Sequence, residues 1–266
     1  MIQTDSGGVF HLVTRCVRRE RLLDRGDRKS QLCRGFAGWL RHMGIDLLAY
    51  SIMGNHFHFH VRLLPDVVAG WPAQEVARHA LAVFPVRCKG RSGPSSEPMT
   101  VTPAVVDRYA DNARWVAEQR IRLSSPSWLM RLVKQETSRR ANAEDGSTGH
   151  FWEKRFTSVA VLDAAATLAC MMYADLNPLR AGLVKSPEFS TFTSVRHRVA
   201  RLRHGTRSDR DAEDSALGAQ LISTPDCAPP HVWTGEQERW GLGEGDYLAL
   251  LDRSYGQALR EVMDRH

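Results

Sequence analysis

The sequence predicts an α+β fold in which a ferredoxin-like antiparallel sheet carries helices on one face. The main observation is the order of the predicted elements, which is strand, helix, strand, strand, helix, strand and a terminal helix. A second observation is that the chain of 266 residues, 42% hydrophobic and 25% charged, is long enough to bury one large core. Fibrous repeats and wholesale disorder are therefore excluded.

The strands and helices of this core follow from residue patterns and from the residues at their ends. Asp27 and Asp163 are suited to cap two helices, and Gly54 and Asn55 suit a tight hairpin between neighbouring strands. Pro178 should end or bend the last core helix. The predicted strands cover residues 9–16, 45–53, 56–63 and 153–162, and the predicted helices cover about 28–43, 103–119, 125–143 and 164–177.

The sequence predicts a main domain that spans residues 1–185 and two additions to its core. One addition is an insertion within this domain, and the other follows it. Residues 65–123 are predicted to form a helical insertion that contains a polar loop, KGRSGPSSEP, at residues 89–98. Residues 186–266 form a basic, partly flexible C-terminal appendage that ends in an amphipathic helix near Tyr247 to Met263.

Charge and cysteine content narrow the class of protein. The 36 Lys and Arg residues against 30 Asp and Glu residues give a net charge of +6 and a pI near 9.3, which favours nucleic acid as partner. The five cysteines include no CxxC pair and therefore suggest neither a disulfide framework nor a thiolate zinc site. We expect a cytoplasmic protein with no membrane partner, because neither a signal peptide nor a membrane span is evident.

Three alternating histidines form the most unusual local pattern. His56, His58 and His60 alternate along the chain. If the 11 histidines were placed at random, the expected number of such triples would be only ~0.02. Alternate residues of a strand share one face about 6.6 Å apart, so His56 and His58 can reach one metal ion while Phe57 and Phe59 point into the core. The alternative is that these histidines are polar positions on the solvent side of a half-buried strand.

Tyr173 and Asn177 lie four residues apart and share one face of a predicted helix. A phenol beside a metal-held phosphate can attack as a nucleophile, and an amide oxygen can complete the ligand set of the ion. Alternatively, Tyr173 is a core residue with a hydrogen-bonded hydroxyl, and Asn177 forms a turn before Pro178.

The segments YSIMGNHFHFHVRL, TGHFWEKRFTSVAVLD and CMMYADLNPLRAGLV closely resemble the HUH single-tyrosine transposases, most strongly the branch associated with repetitive extragenic palindromes (REP). The resemblance spans residues 9–184 apart from the insertion. It assigns the two HUH metal ligands to His56 and His58, the nucleophile to Tyr173 and the third ligand to Asn177. Gly54 stands where relatives often have proline. His60 is an additional histidine, either a spare ligand, a phosphate contact or, the interpretation we favour, an exposed strand residue.

The resemblance implies a transposase of a mobile element that cleaves and rejoins single-stranded DNA, at hairpin or palindromic ends, through a 5′-phosphotyrosine. It implies Mg²⁺ or Mn²⁺ as cofactor, although two imidazoles and an amide alone would favour zinc, nickel or cobalt. The protein is expected to act as a monomer or homodimer. Basic side chains expected to contact DNA, each of which could instead belong to a solvated charged face, are Arg131, Lys134, Arg139, Arg140 and Arg155.

Three other functions remain open at this point. The chain could be a related replication-relaxation enzyme or a domesticated DNA-nicking protein that shares the chemistry but not the outcome. It could be a catalytically idle DNA-binding protein in which the histidines only shape the surface. It could also be a zinc hydrolase that uses water and leaves no protein-linked DNA.

Overall fold

A computed structural model describes residues 7–90, 93–204 and 244–263 of the chain. The helices are α1 (Arg28–Leu40), α2 (Pro65–Gly70), α3 (Ala73–Val83), α4 (Pro103–Ala110), α5 (Ala113–Leu123), α6 (Pro126–Glu144), α7 (Ala164–Arg180), α8 (Ser194–His204) and α9 (Glu244–Met263). The strands are β1 (Gly8–Arg15), β2 (Ile45–Ile52), β3 (His56–Leu63), β4 (Arg87–Gly90), β5 (Gly93–Pro98) and β6 (Thr157–Val161).

Within the described residues, four strands form the main sheet in the order β2-β3-β1-β6, and every neighbouring pair is antiparallel. The predicted α+β class and the antiparallel sheet are therefore confirmed. The predicted hairpin is also confirmed, because the amide of Met53 donates to the carbonyl of His56 at 2.8 Å across Gly54 and Asn55. This topology places β3 and β1 side by side in the centre of the sheet.

One face of the sheet carries Phe57 and Phe59 and is called here the phenylalanine face. The ring of Phe36 on α1 stacks on Phe59 with ring centroids 3.8 Å apart, and Trp152 meets Phe57 edge to face. Apolar residues of α6 join the same buried cluster. Burial of such aromatic side chains stabilises a fold by roughly 1.5–3 kcal/mol each. The larger part of the core therefore lies on this side.

The opposite face carries the histidines of β3 and is called here the histidine face. Met171 and Ala174 of α7 pack on this face against Val9 and Val161. The expected placement of the helices on one face is therefore wrong. Because α1 and α6 already cover the phenylalanine face, the apolar side of α7 is buried on the histidine face instead.

The two predicted helix caps have different outcomes. The carboxylate of Asp163 accepts from the amide of Ala166 at 2.7 Å and caps α7 as expected, and α7 ends two residues after Pro178. Asp27 makes no side-chain cap for α1, because its carboxylate accepts from Gln31 and Arg34 instead.

The region 65–123 contains more than helices and a loop. Strands β4 and β5 form an antiparallel hairpin where the sequence predicted a polar loop. The single helix predicted over 103–119 is two helices, α4 and α5, because Asn112 caps α5 by accepting from the amide of Trp115 at 3.0 Å. Helices α3 and α4 share a small cluster of their own, made by Ala77, Leu81, Val106 and Ala110.

The C-terminal helices α8 and α9 pack against α7. Val195, Tyr247 and Leu251 lie in the same buried cluster as Met171 and Ala174. The predicted terminal helix is present as α9, whereas residues 205–243 of the appendage, which was predicted to be partly flexible, lie outside the described residues. Among the helices described, none combines the length and apolar character needed to cross a membrane.

Candidate metal and nucleophile site

Among the residues that the structure describes, four imidazoles lie on the histidine face, one more than the sequence pattern indicated. The antiparallel register of β1 and β3 places His11 directly opposite His60, and Arg15 opposite His56. His58 is 6% exposed and His60 is completely buried. The expectation that His60 is an exposed strand residue is therefore wrong, because α7 packs over this part of the strand.

Cys170, Tyr173 and Asn177 of α7 follow the spacing i, i+3 and i+7 and therefore lie along one side of the helix. The ring of Tyr173 lies edge-on to His58, with centroids 5.6 Å apart, and 6.5 Å from the ring of His11. Tyr173 is nevertheless 43% exposed, whereas Asn177 is nearly buried. The imidazoles and the phenol thus meet within one chain, and the approach of Asn177 to them stays a prediction.

Both histidines assigned as HUH ligands are held through Nδ1. His56 Nδ1 lies 2.6 Å from Asn55 Oδ1, and the Asn55 amide nitrogen donates to the carbonyl of Arg19 at 2.9 Å. That second bond fixes the orientation of the amide, so His56 Nδ1 donates and Nε2 keeps its lone pair. His58 Nδ1 lies 2.8 Å from His11 Nε2. Such second partners orient metal-binding imidazoles.

The remaining nitrogen of His58 supports the assignment as a ligand. His58 Nε2 is buried and has no hydrogen-bond partner among the described residues. A buried polar atom without a partner costs about 1–3 kcal/mol, and metal binding is one way to satisfy it. His58 Nε2 and the lone pair of His56 Nε2 are therefore both available to a divalent ion.

Burial also keeps these imidazoles neutral. It lowers the pKa of His56 to about 4, with the nearby Arg15 cation adding to the effect. It lowers the pKa of His58 to about 3 and that of His11 to about 4. The pKa of His60 is also well below its usual value, chiefly because of burial. Only a neutral imidazole binds a metal, so little proton competition is expected near pH 7.

These low pKa values predict that the protein loses stability in mild acid. In the unfolded chain His11 and His56 take up protons near pH 6.5, whereas in the folded protein they stay neutral until about pH 4. The unfolded state therefore binds more protons in this window, and the free energy of unfolding falls by up to about 1.4 kcal/mol per pH unit for each such histidine.

Urea unfolding of the metal-free protein at pH 7, 6 and 5 measures this dependence. His60→Leu should reduce the slope of the free energy of unfolding against pH by the amount expected for about one proton. Substitution of the exposed His150 by glutamine should leave this slope unchanged. Equal stability of the unaltered protein at pH 7 and pH 5 would contradict the expectation.

Three residues of this region were not selected from the sequence, namely His11, Arg15 and Cys170. The only sequence signal for Cys170 is its helical spacing from Tyr173, and His11 and Arg15 are recognised only once the register of β1 is known. One ligand atom each from His11, His60 and Cys170 lie within 4.8 Å of one another. Cys170 thus belongs to a group that could hold a metal ion, which the spacing of the cysteines in the sequence did not indicate.

In the described part of the chain, two cationic side chains lie beside the histidines and the phenol. The guanidinium carbon of Arg180 lies 5.8 Å from the centre of the Tyr173 ring. Arg15 is partly exposed and is close enough to lower the pKa of both His56 and His58. Positive charge beside His56 and Tyr173 can offset the negative charge of a phosphate.

The four candidate DNA contacts on α6 lie elsewhere, because α6 packs on the phenylalanine face. Arg139 and Arg140 both form ion pairs with Glu136, and Arg140 also lines a cavity of about 260 Å³ between α1 and α6. Arg131 lies over the ring of Trp128, and Lys134 donates to the carbonyl of Lys154. Arg155 is exposed. A DNA-binding role for these five residues stays a prediction.

Comparison with solved structures finds a REP-associated tyrosine transposase bound to a REP hairpin. The two chains are 14% identical, with a TM-score of 0.39, and the similarity covers 90% of this chain and 92% of that one. No protein-family model and no curated protein matches the sequence. A function for this chain must therefore be argued from its own site and motifs.

Proposed function

We propose that this protein is a metal-dependent transposase that cleaves and rejoins single-stranded DNA with Tyr173 as nucleophile. One observation carries the proposal: the partly exposed Tyr173 ring lies against His58, whose buried Nε2 has no partner among the described residues. The resemblance of the sequence motifs to HUH transposases assigns the metal ligand to His58 and the nucleophile to Tyr173, and it does so without use of the fold.

His56 Nε2, His58 Nε2 and the side-chain oxygen of Asn177 would hold the ion, and we propose Mg²⁺ or Mn²⁺ from the resemblance. When bound, a divalent ion polarises the scissile phosphate and offsets charge on its oxygens. Asn55 and His11 keep the two imidazoles oriented through their Nδ1 atoms. The packing of α7 on the histidine face keeps the Tyr173 ring edge-on to His58, which supports the role of Tyr173 as nucleophile.

In the proposed reaction, the hydroxyl oxygen of Tyr173 attacks the phosphorus and gives up its proton to a base. The bond from phosphorus to the 3′ oxygen of the leaving strand breaks, and that oxygen takes up a proton to become a 3′-OH. The products are a 5′-phosphotyrosine and a free 3′-OH. Because the phosphoester is retained, a second 3′-OH can attack it and join two strands without a nucleotide cofactor.

The substrate is proposed to be single-stranded or hairpin DNA with palindromic ends. Arg15 and Arg180 flank the site and are suited to phosphates, and the exposed Arg155 is a further candidate contact. Since the phenol and the histidines meet within one chain, a monomer can contain the complete site. We also propose a cytoplasmic location, because Cys16, Cys33 and Cys170 carry free thiols.

The test is to incubate the protein with hairpin DNA and Mn²⁺ and to separate the products under denaturing conditions. Label at the 3′ end should migrate with the protein, whereas label at the 5′ end should be released on a fragment with a 3′-OH. Transfer of the protein-linked strand to a second hairpin distinguishes a transposase from a nicking or relaxation enzyme. Cleavage without protein-linked DNA would identify a hydrolase, and absence of both would identify an idle DNA-binding protein.

The ligand assignment makes a separate prediction for His56→Ala. Loss of an orienting partner alone costs about 10–100-fold, so loss of the ligand should lower the rate of adduct formation by more than about 100-fold. Asn55→Ala, which keeps the ligand and removes its orienting bond together with the bond from Asn55 to the carbonyl of Arg19, should give a smaller loss. The measurement is the single-turnover rate against Mn²⁺ concentration.

His79→Ala is the matched control, because His79 lies on α3 in the insertion and not on the histidine face. A rate for His56→Ala equal to that of His79→Ala would contradict the assignment.

A further inference from the structure

We propose a second metal site on the histidine face, formed by His11, His60 and Cys170 and selective for zinc-like ions. Its ligands differ from the three residues that the proposed function assigns to Mg²⁺ or Mn²⁺. It lies one helical turn of α7 away from Tyr173. Bound there, the ion would inhibit the proposed reaction through His58.

The first support is the convergence of three ligand atoms from three elements. One atom each from His11 on β1, His60 on β3 and Cys170 on α7 lie within 4.8 Å of one another. With bond lengths of about 2.0–2.3 Å, ligand atoms of a tetrahedral zinc site are about 3.3–3.6 Å apart. Small rotations of the two imidazoles and of the Cys170 side chain would bring the three atoms to these separations.

The second support is the state of His60. This side chain is completely buried, and neither of its ring nitrogens has a hydrogen-bond partner among the described residues. Its ring stacks on His11 with centroids 4.2 Å apart, which leaves both nitrogens unsatisfied. A neutral imidazole needs an acceptor for its N–H and a donor or an ion for its lone pair. An ion shared with Cys170 would satisfy that lone pair.

The ligand chemistry selects the class of ion. A thiolate with two imidazoles suits Zn²⁺ and Co²⁺, whereas Mg²⁺ prefers oxygen ligands. Binding breaks the S–H bond of Cys170, the proton passes to solvent, and a sulfur–metal bond forms. His11 and Cys170 are both partly exposed, so an ion can reach the site from solvent.

The inhibitory effect follows from the hydrogen bond between His11 Nε2 and His58 Nδ1. If the ion takes Nε2 of His11, this bond is lost. If the ion takes Nδ1, then Nε2 of His11 carries the proton and donates it to His58 Nδ1. Neutral His58 then carries its own proton on Nε2, the atom that would have to bind the catalytic ion. Either way the two sites compete, a consequence that rests on the proposed function.

The experiment titrates the full-length, metal-free protein with Co²⁺ in the presence of saturating Mg²⁺. We expect one Co²⁺ per chain, with a near-ultraviolet sulfur-to-cobalt charge-transfer band and visible bands of a tetrahedral ion, both removed by an equimolar amount of Zn²⁺. Cys170→Ser should abolish the charge-transfer band. Cys33→Ser, which alters a buried thiol on α1, and the double variant C88S/C227S should keep it.

The second arm measures adduct formation in Mg²⁺ with and without Zn²⁺ at twice the protein concentration. Zn²⁺ should lower the rate about tenfold or more in the unaltered protein and in Cys33→Ser, but less than twofold in Cys170→Ser. No charge-transfer band, or a band that survives Cys170→Ser, would overturn the metal site. A band with no effect of Zn²⁺ on the rate would overturn the inhibition. The cobalt result does not depend on the proposed function. Failure of the second metal site can therefore be distinguished from failure of the proposed transposase reaction.

Discussion

Tyr173→Phe is expected to lower the rate of covalent DNA attachment by about 10³-fold or more, because the change removes the oxygen that attacks the phosphorus. The ring itself remains, and with it the contacts to His58 and Arg180. The fold and the affinity for DNA should therefore change little. Single-turnover formation of the denaturation-resistant complex in Mn²⁺ measures the rate, and a DNA-binding titration is run in parallel.

Tyr109→Phe is the matched control, because Tyr109 lies on α4 against Trp115, within the insertion. It should form the covalent complex at the rate of the unaltered protein. Covalent complex that forms at the same rate in Tyr173→Phe as in Tyr109→Phe would exclude Tyr173 as the nucleophile.

Asp175→Ala is expected to lower the free energy of unfolding by about 3–5 kcal/mol, the range found when one partner of a buried polar or ionic network is removed. Asp175 is 1% exposed, and one carboxylate oxygen accepts from the amide of Val195 at 2.8 Å and from the hydroxyl of Ser194. The other oxygen accepts from the hydroxyl of Tyr247 at 2.7 Å. Asp175 thus joins α7 to the first turn of α8 and to α9.

Urea unfolding at pH 7 checks this expectation. Asp175→Asn keeps one acceptor oxygen and should lose less stability than Asp175→Ala, and the exposed Asp252→Ala should stay within about 0.5 kcal/mol of the unaltered protein. A loss of less than about 1 kcal/mol for Asp175→Ala would show that this contact does not hold the C-terminal helices on α7.

Local patterns predicted the elements well where one face of an element is apolar. Alternation in β3 identified the core positions Phe57 and Phe59, and the capping carboxylate of Asp163 located the start of α7. Asp27 has the same capping chemistry, yet its carboxylate accepts from Gln31 and Arg34 instead. A capping residue therefore predicts the start of a helix more reliably than it predicts the capping bond.

The arrangement on the histidine face could not be predicted in the same way. Whether His11 faces His60 depends on the register of β1 against β3, which is set by contacts between residues far apart in sequence. The burial of His60 depends on which face of the sheet α7 covers, and that follows from α1 and α6 occupying the other face. The contribution of Cys170 follows from the same packing, since no local motif marks it.

Peptide mapping of the covalent complex tests most directly whether Tyr173 bonds to DNA. After reaction with hairpin DNA and Mn²⁺, nuclease digestion leaves a short nucleotide on the attacking side chain, and trypsin releases the peptide of residues 156–180, in which Tyr173 is the only tyrosine. We expect mass spectrometry to find the phosphonucleotide on Tyr173, and only when the ion is present. A nucleotide on any other residue, or cleaved DNA with no modified peptide, would contradict the account.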